Sequence, residues 1–158
     1  MTQELSSEEL FKIGIELLQE KKYSHALAVL NEAIKKGDYE DVQEIPPHYL
    51  SYFGLAMALA EKRFRHGAAF SATAIKRELY NPDFYLNLGK VYVAGGYKRK
   101  AIDAFHNGLK IAGENSEIRV EIKKIGIRHK PIIPFLPRTH VVNKFLGLLS
   151  HKCKSQDF

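Results

Sequence analysis

Leu10-Phe11-Lys12-Ile13-Gly14-Ile15-Glu16-Leu17, Leu50-Ser51-Tyr52-Phe53-Gly54-Leu55-Ala56-Met57 and Tyr85-Leu86-Asn87-Leu88-Gly89-Lys90-Val91-Tyr92 are three copies of one pattern. Each sets a large apolar residue four before a glycine, an apolar residue directly before it, and another three after. Each copy also has a second half. Tyr23-Ser24-His25-Ala26 leads into Leu30 and Ala33, and Phe64-Arg65-His66-Gly67 leads into Phe70 and Ala74. Tyr97-Lys98-Arg99-Lys100-Ala101 leads into Phe105 and Gly108.

The periodicity is helical. Apolar residues at 10, 13 and 17 and at 11, 15 and 18 form two stripes on one helix, spaced by three and four. Ser6 and Glu9 have capping-box spacing. Asn81 before Pro82 reads as an N-cap followed by proline at the first helical position. Gly95-Gly96 breaks the third copy between its two helices. Glycine inside a helix costs about 1 kcal/mol relative to alanine, so three at matched places imply a packing need. Gly14, Gly54, Gly89 and Gly108, with Ala26, Ala33, Ala74 and Ala101, are therefore expected where helices approach closely.

Self-similarity at 40 and 35 residues, the spacings of the three glycines, lies near the roughly 34-residue helix–turn–helix period. The surplus in the first interval fits the loop from Asp38 to Pro47. The pattern resembles the tetratricopeptide repeat family over residues 7–113, as repeats at about 7–40, 47–80 and 82–113. In the second repeat, His66 or Gly67 stands where the family usually has a small alanine. The resemblance implies an all-α fold: a right-handed superhelix of antiparallel helix pairs, or α-solenoid. It also implies a concave face that binds peptides or helices.

In each first helix one stripe (Leu10, Ile13, Leu17; Leu50, Phe53, Met57; Tyr85, Leu88, Tyr92) is expected to pack on the partner helix. The other stripe, Phe11, Ile15 and Leu18, then Ser51, Leu55 and Leu59, then Leu86, Lys90 and Val93, is expected to line the concave groove. Some family members hold a terminal carboxylate there through Lys and Asn; the first repeat has Phe11 and Ile15 instead, so that clamp is not expected. An apolar groove predicts an extended apolar segment or an amphipathic helix as occupant. The chain's own C-terminus is the competing occupant.

After the repeats, residues 114–127 read as a capping helix with Ile118, Val120, Ile122 and Ile125 apolar, since a terminal repeat needs a cap with a polar outer face. Residues 128–158 form a basic extension. Prolines at 131, 134 and 137 favour an extended strand. Full burial of Ile132, Ile133, Phe135 and Leu136 is worth roughly 1.5–3 kcal/mol each, so this segment is expected to dock on its own array, a partner, a second subunit or a membrane surface. Thr139 is placed to cap a last amphipathic helix.

The 158 residues carry 24 Lys and Arg against 18 Asp and Glu, for a net charge of +6. The distribution is uneven: residues 1–45 are net −5, residues 46–118 net +4 and residues 119–158 net +7. Such asymmetry permits an anionic partner, nucleic acid included, and equally permits a solvated surface. Lys62-Arg63-Arg65 and Lys98-Arg99-Lys100 fall at corresponding turns, where they read as solvated turns or as a basic ridge for phosphates. The 45% hydrophobic content argues against disorder. The single cysteine, Cys153, excludes an internal disulfide and suits a reducing compartment, so the expected location is the cytoplasm. No signal peptide or spanning helix is read.

The seven histidines show no HExxH or Cys/His metal spacing, and no phosphate-loop motif surrounds Gly95-Gly96. Cys153 lacks the positioned base that a nucleophile needs. No cofactor and no catalysis are expected. The expected function is that of a non-enzymatic adaptor binding another protein. Small three-repeat chaperones of type III secretion translocators are similar in size and are the alternative within the fold; homodimerisation stays open.

Overall fold

Seven helices make up the computed structural model, which describes residues 5–113 and 115–126. They are α1 (Ser7–Gln19), α2 (Tyr23–Lys36), α3 (Pro47–Glu61), α4 (Phe64–Arg77), α5 (Pro82–Ala94), α6 (Lys98–Ala112) and α7 (Ser116–Ile125). No strand occurs among the described residues. Helices α1 and α2, α3 and α4, and α5 and α6 pack as pairs, and each first helix also packs on the next first helix. The array is an α-solenoid, with α1, α3, α5 and α7 as its inner layer and α2, α4 and α6 outside. The expectations for residues 128–158, including the docking of Ile132, Ile133, Phe135 and Leu136 and the helix from Thr139, lie outside the described residues.

Local sequence explains the helix starts at one edge. Ser6 caps α1: its backbone N–H donates to Glu9 Oε2 at 2.7 Å and its hydroxyl accepts from the Glu9 N–H at 3.3 Å. The bonds that Glu9 Oε2 accepts from the Ser6 backbone N–H and, at 2.8 Å, from the Ser6 hydroxyl hold its carboxyl below its ordinary range. Asn81 accepts from the Asp83 N–H at 3.1 Å and caps α5 ahead of Pro82. Asn115 accepts from the Ile118 N–H at 3.1 Å and caps α7.

Helix α3 is the centre of the array. Tyr49, Leu50, Ser51, Gly54, Leu55, Ala56, Met57 and Ala58 are all buried, because α1, α2, α4 and α5 surround it. A helix without a polar stripe is stable only when enclosed in this way. Its crossing with α4 brings backbone to backbone. A Cβ on Gly54 would stand 2.5 Å from the Gly67 carbonyl oxygen, and one on Gly67 would strike the Gly54 oxygen. The small residue of the second repeat is thus Gly67, while His66 is exposed. In the other pairs the glycine receives a side chain. Leu30 sits over Gly14 and the Phe105 ring over Gly89. Ala26, Ala33, Ala74 and Ala101 are fully buried.

The loop after α2 is anchored to the array. Ile45 is buried, and the Arg77 guanidinium donates to its carbonyl. Helix α7 closes the core with Ile118 and Ile122, the former against Gly108. Val120, expected on the apolar side, is 47% exposed; it lies two residues from each of these, on the opposite face of the helix.

At the turns between paired helices the backbone enters the left-handed region at Lys21 (φ 61°), Lys62 (φ 60°) and Gly96 (φ 78°). Only the third repeat places glycine there. Gly54→Ala is expected to lower unfolding stability by about 1–3 kcal/mol, because a carbonyl cannot rotate aside. Gly14→Ala should cost less, since the Leu30 side chain has other rotamers; urea titrations of both variants check this ordering. Lys62→Gly is expected to raise unfolding stability by roughly 0.5–1 kcal/mol through relief of left-handed strain.

Candidate functional site

The inner helices enclose an open groove of about 610 Å³. Its apolar wall comes from all three repeats: Ile15 and Leu18 of α1, Leu55 and Leu59 of α3, Leu86 and Val93 of α5. Lys90 lines it as well. Leu55 and Leu86 form its floor at about 5% exposure, whereas Val93 is 40% exposed. These seven residues belong to one stripe on each first helix, at spacings of three and four.

Two residues of that stripe lie elsewhere. Phe11 does not line the groove: its ring stacks on Tyr49 at 4.2 Å and meets His48 and Tyr52 edge-on at 5.0 and 5.7 Å. Those rings, brought in by α3, close α1 and α3 together at their N-terminal ends. Ser51 is fully buried and accepts a hydrogen bond from Asn87 Nδ2 at 3.1 Å, because α3 and α5 meet there. Residue spacing sets an angle around a helix; it does not set where two helices converge.

The groove contains polar residues that sequence reasoning missed. Asn87 and Asp83 flank Leu86 on α5, and Tyr52 precedes Leu55 by three on α3. All three extend the predicted stripe by one helical turn or one neighbouring row, so the periodicity held their signal. Glu117, Glu121 and Lys124 come from α7, and Lys90 bonds Glu117 at 2.6 Å. Burial pushes the Tyr52 phenol up, with the Asp83 and Glu117 carboxylates acting the same way and the bond to Asn87 opposing them. Of the remaining polar rim, Gln19, Lys21 and Tyr23 come from the first turn.

The site is a half-apolar trough with one buried polar bridge, from Asn87 to Ser51. Among the described residues no group of three or more His, Cys, Asp or Glu is placed to hold a metal ion. No helix among them is long and apolar enough to cross a membrane.

The folded state holds the Tyr52 proton more tightly than the unfolded chain does. Its contribution to stability is therefore full below the ordinary tyrosine value of 10.0 and is lost as pH rises through the raised one. Asp83→Asn is expected to bring the Tyr52 titration back toward that ordinary value and to soften the alkaline loss of stability; ring carbon shifts followed by NMR against pH check it.

No protein-family model matches the chain, and no curated protein matches it. Among solved structures, the Arabidopsis OM64 TPR domain is similar in fold, with a TM-score of 0.58 over 78% of this chain and 96% of that one, at 20% sequence identity. Paired antiparallel helices, close crossings at matched glycines and this structural likeness together make the chain a tetratricopeptide-type repeat fold.

Proposed function

We propose that the chain is a non-enzymatic interaction module that holds an apolar peptide or the apolar face of a partner's helix in its concave groove. The observation that supports this is the wall of Ile15, Leu18, Leu55, Leu59, Leu86 and Val93, contributed by three successive repeats and open on one side. Apolar surface of this extent is stabilised by cover, and helix-in-groove recognition supplies it with anchors spaced by three and four residues. The buried Asn87–Ser51 bond stiffens the floor, so a ligand meets a preformed surface. The lone cysteine favours a cytoplasmic setting. An adaptor and a chaperone of a secreted protein would use the same groove; the chaperone alone would suppress aggregation of its client at equimolar ratio.

Leu59→Glu with Val93→Glu tests the reading, because both side chains reach the groove surface outside the tightest part of the core. The double variant is expected to keep its helical circular dichroism. Its affinity for a partner captured by the intact chain should fall by roughly tenfold or more, as two charges enter an apolar contact. Equal affinity of both proteins for that partner, measured by calorimetry, would rule the groove out.

A further inference from the structure

The three turns between paired helices gather at one edge of the groove. Lys21 and Tyr23 of the first turn and Val93 and Ala94 beside the third line the same cavity. Phe64 of the second packs with Leu18, Leu59 and Val91, and a Cβ on Gly95 of the third would lie 3.1 Å from Phe64. This edge carries eight exposed cations. Two are paired, Lys22 with Glu20 at 2.8 Å and Arg63 with Glu61 at 3.4 Å. No carboxylate pairs with Lys21, Lys62, Arg65, Lys98, Arg99 or Lys100 among the described residues.

Local rules run against this arrangement. Helices α2, α4 and α6 all start at this edge, and none has a side-chain cap or an acidic residue in its first turn. Each helix N-terminus is a partial positive charge that favours anions, yet here Lys, Arg and Tyr stand at the caps. Lys21 and Lys62 also hold left-handed backbone where Gly96 does so without strain. Self-repelling charge retained at three equivalent turns marks a surface built for an anion.

We infer that the groove's occupant carries a row of acidic side chains along the flank that meets these turns; this rests on the proposed binding of an amphipathic segment in the groove. The cations orient the segment and speed its encounter, and the apolar wall holds it. A nucleic acid fits less well, because base stacking needs open rings. Of the three turn aromatics, Tyr23 and Phe64 are half-buried and Tyr97 alone is exposed, at 43%, with its ring edge-on to Tyr92 at 6.3 Å and the Lys100 ammonium 5.7 Å from both tyrosine rings.

Fluorescence anisotropy with three probes tests this on the full chain. Two are synthetic helical peptides with leucines spaced by three and four, one flanked by glutamates and one by glutamines; the third is a single-stranded oligouridylate. At low salt the glutamate peptide should bind about tenfold tighter than the glutamine peptide, and the margin should shrink as salt is raised toward a Debye length of a few ångströms. Arg65→Glu with Arg99→Glu should erase the margin while leaving the glutamine peptide's affinity unchanged. Lys62→Gly should reduce the margin although the protein becomes more stable, which a structural role for Lys62 would not produce. Equal affinity for the two peptides, or tighter binding of the oligouridylate than of the glutamate peptide, overturns the inference. Loss of both peptides in the Leu59→Glu, Val93→Glu variant supports the groove; a glutamate peptide that still binds that variant, beside a glutamine peptide that binds neither protein, overturns the groove reading alone.

Discussion

Helices α3 and α4 touch through their backbones at Gly54 and Gly67, and the rest of the array is arranged around that contact. A crossing this close leaves no room for a Cβ on either side, so the pair has one packing solution. With α4 held against one side of it, α3 lies between α1, α2 and α5 on its others. A helix as apolar as Pro-His-Tyr-Leu-Ser-Tyr-Phe-Gly-Leu-Ala-Met-Ala-Leu-Ala-Glu is stable in water only under such cover. Layering follows: first helices inside, second helices outside, and α7 over the exposed end of the stack.

The groove runs along the first helices. At their N-terminal ends α1 and α3 are drawn together by stacked rings, Phe11 on Tyr49 with His48 and Tyr52 at the edges. Offset and edge-on ring pairs add roughly 0.5–1.5 kcal/mol each beyond the area they bury. Toward their C-terminal ends Ile15, Leu18 and Leu59 stand half-buried along the groove. Because the first helices end at the turns, the open half of the groove adjoins the cationic edge. Apolar wall and charge are neighbours as a result of helix direction alone.

Helix capping divides the molecule in the same sense. Starts of α1, α5 and α7 carry Ser6, Asn81 and Asn115 as caps, each with its hydrogen bond, while α3 begins at Pro46 without one. Starts of α2, α4 and α6 carry Lys22, Arg63 and Tyr97 without one. The first set serves stability. The second leaves N–H groups and positive helix ends beside exposed cations, which weakens the free protein slightly and favours an anionic surface laid against it.

Helix identity, the pairing of helices and the need for small residues at Gly14, Gly54 and Gly89 were legible in the residue order, because period and glycine placement are local properties. The caps at Ser6 and Asn81 were legible for the same reason. Most of the groove stripe was legible too, since spacing of three and four defines a direction around each helix. What spacing does not contain is where neighbouring helices meet. Phe11 is taken into the core by rings about forty residues away, Ser51 is covered by Asn87, and Val120 faces water, all through contacts between elements. The choice of Gly67 over His66, and the joining of Lys21 to the two other basic turns at one edge, were likewise settled by packing. Sequence determined the helices and their faces; tertiary structure decided which parts of those faces converge, because convergence depends on crossing geometry that no single helix encodes.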